Sequence, residues 1–284
     1  MGLLGILYRG LYNSAYLIKS CHSSKNKVRI LLSWVKINLK FLTIAKLFKI
    51  KTEKIFGYKL YAFDYGTIRA LFEEIFYRND YQYKYKNKKP VILDCGANIG
   101  FATIYFKWLY PESKIYAFEP NRRAFGLLKK NILENKLKDV HPFNVALSDR
   151  NGEIDFFIDS DEPGSITTST KYERMPKDKT RVDCVSLSSF IKRKRLKQID
   201  FAKMDIEGSE QEVVDDLNSS GLLKNIPRYT IEYHHKIGDK HKSGLSKFLK
   251  PFEDNKFEYQ IDTRCNPINS EDKFQDILIY FYRK

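Results

Sequence analysis

Cysteine is scarce and scattered. The four residues, Cys21, Cys95, Cys184 and Cys265, stand 74, 89 and 81 positions apart. With no C-x-x-C pair, a sequence-local zinc or redox site is excluded, and thiols this dispersed fit a reducing, cytoplasmic setting as small core hydrophobes. Only 14 glycines and 9 prolines occur in 284 residues, which excludes a collagen-like or low-complexity chain. Long apolar runs are missing too. The first, Leu3–Leu7, is interrupted by Arg9, far short of the ~18 residues that span a bilayer. It has no basic residues ahead of it and no small-residue cleavage site behind it, which argues against a secretory signal. Acidic residues are almost absent from positions 1–60, where twelve Lys and Arg face a single acid, Glu53. Over the whole chain, 43% apolar and 14% aromatic residues exclude a disordered polyelectrolyte and are ample for a core.

The net charge of +15 is therefore uneven, with +11 in residues 1–60 and +4 over the remaining 224. Between Val28 and Ile44 the pattern is helical. Arg29, Ser33, Lys36, Lys40 and Thr43 share one face, and Ile30, Leu31, Trp34, Val35, Leu39 and Leu42 cover most of the rest. Such a helix can pack on the main domain or on a second copy, or lie against an anionic membrane surface. Nucleic acid is not favoured as a partner, because no recognisable RNA-binding module and no interleaving of aromatics with cations is present. The chain divides into a basic amphipathic helical leader (1–54), a connecting helical subdomain (55–89) centred on Thr67–Tyr77, and a domain of different character from residue 90 to 284.

In that last part, short apolar runs alternate with helical patterns. V-I-L-D-C (91–95) reads as a buried strand, Phe101–Tyr110 as a helix stopped by Pro111, and 114–120 as a second strand with a helix through Asn135. Val140–Leu147 reads as a third strand, 153–159 and 181–186 as extended segments, and 199–205 as a strand before a helix from Ser209. Strands at 229–235, 257–261 and 276–282, with a helix at 245–252, complete the pattern. This alternation implies a mostly parallel α/β sheet covered on both faces. The hydroxyl-rich stretch 160–170 reads as a lid or as a surface loop.

Ligands of such sheets collect at the carboxyl ends of the strands. There the sequence places Asp94, Glu119, Ser148, Asp149, Asp205, Glu207, His234 and His235. The turn D-C-G-A-N-I-G brings Gly96 and Gly100, where backbone must approach a ligand or adopt positive φ. Glu119 follows Gly96 by 23 residues, the distance expected of a carboxylate that grips ribose hydroxyls. Asn98 stands where a dinucleotide fingerprint needs glycine, and Asp94 would repel a pyrophosphate. A sulfonium with an amino-acid tail suits the turn better, so S-adenosylmethionine is expected over NAD.

Five blocks in register, V-I-L-D-C-G-A-N-I-G-F, Y-A-F-E-P-N, N-V-A-L-S-D-R-N-G-E-I, V-D-C-V-S-L-S-S-F-I and I-D-F-A-K-M-D-I-E-G-S-E, resemble the FkbM-type methyltransferase family. The resemblance spans about residues 90–235. It implies a class I, Rossmann-like seven-stranded fold and S-adenosylmethionine-dependent methylation, most often of a hydroxyl on a sugar or similar small molecule. It further implies that Asp94, Gly96, Asn98 and Gly100 line the methionine side of the cofactor, that Glu119 binds the ribose, and that Ala146 and Leu147 flank the adenine. Methyl transfer is chiefly a positioning problem, but a hydroxyl acceptor also needs a base. The candidates are Asp205, Glu207 and one histidine; adjacent histidines on a strand face opposite ways, and His234 is expected toward the cleft, with Glu210 a helix-face support. Asp205, Glu207 and a histidine could also form a metal site; the expectation adopted is a site without metal. Competing readings are an RNA or protein methyltransferase, which lacks an N-P-P-Y-like motif, and a non-catalytic scaffold docked at a membrane, against which the intact Gly96, Gly100 and Glu119 speak.

Overall fold

The computed structural model describes residues 3–283 apart from 21, 83, 84, 86, 159–167, 170–177, 237–243 and 264–273. Helix α1 (Leu3–Lys19) and helix α2 (Ser24–Lys40) come first, α2 running on as one π-helical turn, Phe41–Ala45. The Ser23 side chain caps α2 by accepting from the Asn26 amide. Strands β1 (Thr52–Ile55) and β2 (Tyr58–Tyr61) form an antiparallel hairpin, followed by α3 (Tyr65–Leu71), which continues as a π-helical segment, Phe72–Tyr77. The boundary expected between residues 54 and 55 thus falls inside a hairpin, because Ile55 pairs with Tyr58.

From residue 91 strands and helices alternate: β3 (Val91–Cys95), α4 (Phe101–Leu109), β4 (Lys114–Phe118), α5 (Arg122–Glu134) and β5 (Val140–Phe143). Then come β6 (Ala146–Ser148), β7 (Gly152–Ile158), β8 (Thr168–Ser169), β9 (Asp178–Ser186) and α6 (Leu187–Arg193). The last elements are β10 (Phe201–Met204), α7 (Glu210–Ser219), β11 (Arg228–Lys236), α8 (Leu245–Asp254), β12 (Glu258–Thr263) and β13 (Phe274–Tyr282). The main sheet has seven strands in the order β12-β13-β11-β10-β3-β4-β5. The five strands from β11 to β5 pair in parallel, and β13 runs antiparallel between β11 and β12. Because side chains alternate across a strand, Ile92 and Phe201 join a core with α4, α5 and the N-terminal elements, while Leu93, Ala202 and Met204 join a second with α6, α7 and α8.

One expectation changes. The run 140–147 is not one strand: β5 closes the main sheet, and β6 starts a separate four-stranded sheet, β6-β9-β7-β8, with the break at Asn144. The Asn144 side chain turns back and donates to the carbonyls of Glu119 and Pro120, which redirects the chain. The basic leader takes one of the placements its pattern allowed, packing on the main domain, and is built into the first core through Leu17, Ile30, Trp34 and Ile37. Trp34 stacks on Tyr77 at 5.1 Å, Asn13 donates to Glu73, and the hairpin is tied to α5 where Asn131 exchanges hydrogen bonds with the Tyr61 backbone. Cys95 and Cys184 are buried free thiols, while Cys21 and Cys265 lie outside the described residues. Apart from the short β8, so does the expected lid at 160–170.

Candidate active site

The strand order reverses between the neighbours β3 and β10, and a cleft opens at their carboxyl ends. Two tight turns form it. After β3, Gly96, Asn98 and Gly100 all take positive φ, at 78°, 50° and 89°. A Cβ on Gly96 would fall 1.7 Å from the Asp205 carbonyl oxygen, so only glycine lets the two turns touch. After β10, Glu207 holds φ 58° and Gly208 φ 112°. A non-glycine residue in that region stores strain, and here Glu210 holds the turn by accepting from the Ile206 and Gly208 amides.

The cleft has two chambers. The smaller encloses about 380 Å³ including its mouth and is lined by Gly96, Phe118, Glu119, Pro120, Val145, Ala146, Leu147, Phe156 and the Asp205–Glu207 turn. Glu119 is buried, and its two oxygens accept from the amides of Asn98 and Asn121, each at 2.8 Å. Burial raises its carboxyl to about 7, although both amides pull it down. The larger chamber, about 730 Å³, is lined by Leu71, Glu74, Ile75, Tyr81, Gly96, Asn98, Phe101, Lys203, Asp205, Glu207, Glu232 and Asp276, among others. Gly96, Asp205 and Glu207 border both chambers.

Behind this junction the buried charges are arranged in a chain. Lys203 donates to the Gly96 carbonyl at 2.6 Å and lies 3.5 Å from Asp205 Oδ2 and 3.8 Å from Asp94 Oδ1. Burial works against its charge, but Asp205 and Asp94 outweigh that and raise its pKa. His234 Nδ1 meets Glu210 Oε1 at 2.7 Å, and its Nε2 lies 3.4 Å from Glu207 Oε2 and 3.8 Å from Asp205 Oδ1. Burial would raise Glu210, yet the adjoining His234 holds it below its ordinary value, so it is an acceptor for the Nδ1 proton. Burial, with Asp205 and Glu74 nearby, drives Glu232 well above the usual carboxylate range. Ligand atoms of Asp205, Glu207 and His234 lie within 4.8 Å of one another, close enough to share a cation.

The expected residues therefore converge, in two tiers. Gly96, Glu119, Ala146 and Leu147 line the smaller chamber, Asn98 lines the larger, and Asp205 and Glu207 line both. Asp94 lies instead behind the turn, wholly buried, its Oδ2 accepting from Thr103 at 2.5 Å, and it borders neither chamber. Gly100 is likewise a backing residue, since a Cβ there would meet Leu128 Cδ1 at 2.8 Å. His234 is on the cleft side of β11 but buried behind the two carboxylates. Glu210, expected only to support its helix, fixes that histidine. Lys203, Tyr81, Glu232 and Asp276 were not anticipated. The lysine within apolar I-D-F-A-K-M was the available sign for the first. Tyr81, whose hydroxyl donates to Asp205 Oδ2 at 3.2 Å, comes from the connecting segment, where no motif marks it.

A mostly parallel seven-stranded sheet with helices on both faces and a cleft at its crossover is the Rossmann-like architecture of S-adenosylmethionine-dependent methyltransferases. Residues 94–277 match the family model described as the methyltransferase FkbM domain. The chain belongs to that family, and its cofactor is S-adenosylmethionine. Methyltransferase sdnD of Sordaria araneosa is 27% identical over 196 residues, covering 58% of this chain and 76% of that protein. The 2-O-methyltransferase NoeI of Sinorhizobium fredii is 33% identical over 138 residues, 44% of this chain and little more than half, 56%, of that protein. Hexuronic acid methyltransferase AglP of Haloferax volcanii is 23% identical over 184 residues, 65% and 68% of the two chains. Among solved structures, methyltransferase FkbM from Methylobacillus flagellatus is similar at TM-score 0.47 and 15% identity, covering 98% of this chain and 60% of that one.

Proposed function

We propose that this protein transfers the methyl group of S-adenosylmethionine to a hydroxyl oxygen of a sugar, glycan or other small molecule, with Asp205 and Glu207 at the point of transfer and no metal ion. The observation that carries the reading is the two-chambered cleft whose compartments meet at Gly96, Asp205 and Glu207. The names of two relatives, a 2-O-methyltransferase and a hexuronic acid methyltransferase, support a hydroxylated carbohydrate acceptor.

The smaller chamber suits the cofactor. Glu119 offers two carboxylate oxygens for ribose hydroxyls, Ala146 and Leu147 an apolar wall for adenine, and Gly96 a bare stretch of backbone at the wall shared with the larger chamber, where Asn98 continues the turn. Asp94 and Gly100 hold that turn from behind. The bound cofactor supplies an electrophilic methyl; everything else falls to the chain. The larger chamber orients the acceptor, and most of the rate gain comes from that alignment. Asp205 or Glu207 accepts the hydroxyl proton, a contribution of ~10²–10⁴-fold for a positioned base. His234, held by Glu210, positions the carboxylates and does not touch the chamber.

The test has two stages. Calorimetry with S-adenosylmethionine comes first, on the natural protein and on Glu119→Ala; failure of the natural protein to bind would end the reading. Turnover on a glycan panel follows, read as a gain of about 14 mass units per methyl. Asp205→Asn and Glu207→Gln are expected to keep cofactor binding while at least one loses ~10²-fold or more in kcat. Full activity in both variants would remove the carboxylates from the mechanism.

A further inference from the structure

Thirteen of the fifteen large apolar side chains exposed among the described residues lie between positions 8 and 48. They are not scattered. On α2 and its π-helical extension Val28, Leu31, Leu32, Val35, Leu39 and Leu42 recur at helical spacing along one outer stripe, and Leu11, Tyr12 and Ile18 are exposed on α1. Leu47 and Phe48, just beyond α2, are exposed at 76% and 68%. Monomeric proteins rarely leave so concentrated an apolar surface uncovered.

The stripe is not waiting to fold onto this chain. The opposite face of α2 is already committed, with Ile30, Trp34 and Ile37 buried in the core. Trp34 stacks on Tyr77, and a Cβ on Gly10 would come within 2.4 Å of its ring. The helix pair is fixed, and its outer face is apolar by construction.

Charge selects the occupant. The single acid of residues 1–60, Glu53, is buried and spent internally, accepting from Tyr65 while paired with Lys36 at 3.0 Å and Lys40 at 3.1 Å. Around the stripe Lys25, Lys46, Lys49 and Lys51 are exposed. A second copy of the chain would bring lysine rim against lysine rim, with no carboxylate from residues 1–60 to separate them. No helix among the described residues is long and apolar enough to cross a membrane. An apolar stripe inside a cationic rim on a helix lying along the surface is the arrangement that enters an anionic lipid interface. We infer that α1 and α2 dock this protein on the surface of an anionic bilayer, with the outer stripe of α2 in the acyl boundary and the lysines among the head groups.

The layer beneath, Phe72–Tyr77, contributes Glu74 and Ile75 to the larger chamber. Docking is thereby tied to the acceptor side of the enzyme, although the inference stands whichever acceptor is used.

Flotation of the full-length protein with phosphatidylcholine vesicles, with and without phosphatidylglycerol, tests this. Truncation is unsuitable because Ile30, Trp34 and Ile37 belong to the core. The protein is expected to float with the mixed vesicles at least about tenfold better than with phosphatidylcholine alone. The double variant Leu32→Glu/Val35→Glu should lose about tenfold or more, while Leu133→Glu, on the exposed surface of α5, should float as the natural protein does. Should the double variant fold poorly by circular dichroism, Lys46→Gln/Lys49→Gln/Lys51→Gln gives the same reading, again with a loss of about tenfold or more. Cofactor binding by calorimetry should be unchanged in every variant, so loss of docking and failure of the methyltransferase reading stay distinct. Absence of flotation, equal flotation on both vesicle types, or a stable dimer in light scattering that Leu32→Glu/Val35→Glu dissociates without any vesicle binding would each overturn the inference.

Discussion

Replacing Glu119 by glutamine separates stability from function in a way the structure makes quantitative. In the ligand-free fold this carboxyl is buried and shifted from 4.5 to about 7. A folded-state pKa above the unfolded one means the native state holds the proton more tightly between those limits. Stability therefore falls as pH rises from 4.5 toward 7, and the full penalty is present above. For a shift of this size the loss from this one group between about pH 5 and about pH 8 is about 2.5 kcal/mol. Glu119→Gln removes it. The amide retains one acceptor for the two backbone donors, Asn98 and Asn121, so a constant cost of about 1–3 kcal/mol applies at every pH. The prediction is a difference in slope, not in level. Urea unfolding followed by tryptophan fluorescence should show the natural protein losing about 2.5 kcal/mol more than the variant across that interval. S-adenosylmethionine should restore the natural protein by ligand linkage and leave the variant unmoved. On the proposed reading, in which Glu119 meets the ribose as a carboxylate, cofactor affinity of the natural protein should also fall about tenfold per pH unit below about 7. Parallel slopes in the two proteins would refute the reasoning about this site.

Gly96→Ala should abolish cofactor binding and cost several kcal/mol, about 1–2 of them from backbone strain alone at φ 78°; unchanged affinity in calorimetry would show that the two turns can separate. Glu53, held down to about 2 by Tyr65, Lys36 and Lys40 against its burial, contributes stability that is present above 4.5 and lost as pH falls toward 2. Glu53→Gln should thus cost about 3 kcal/mol at neutral pH and flatten the acid limb of thermal melts; an unaltered limb would place the effect elsewhere. Dialysis against EDTA should leave turnover unchanged, whereas loss restored by a divalent cation would assign Asp205, Glu207 and His234 to a metal. Glu210→Gln should lower kcat and shift its pH profile with cofactor affinity intact, the mark of a residue acting through His234; a profile with no shift would reduce Glu210 to a helix cap.

The parts of the site legible in the sequence are those where one residue's backbone or charge has a local cause. A buried strand ending in D-C-G-A-N-I-G marks its glycines as places of positive φ or close approach, and Gly96 and Gly100 both adopt positive φ. The acid 23 residues on, Glu119, does line the smaller chamber. Local pattern is silent about depth. Asp94 and Gly100 belong to the same motif as Gly96 yet back the turn instead of lining it, since which side of a turn faces the cleft depends on where Leu128, Thr103 and Lys203 pack. Tyr81, Glu232 and Asp276 reach the larger chamber from three separate segments, and no spacing within any one of them marks it.

The periodicity of 2 and 3.6 and the glycine positions, both properties of neighbouring residues, were enough to determine an alternating α/β chain with a nucleotide turn. The uneven charge was equally plain, as was an amphipathic helix between Val28 and Ile44. Its orientation was decided only in three dimensions. The pattern offers several apolar faces, and the stacking of Trp34 on Tyr77 selects the one that turns inward. Leu31, Leu32, Val35 and Leu39 are thereby left outside, beside lysines whose one acidic neighbour in residues 1–60 has been drawn into the core. Long-range packing makes that choice, because a helix wide in apolar surface has more than one way to bury it and only its neighbours determine which.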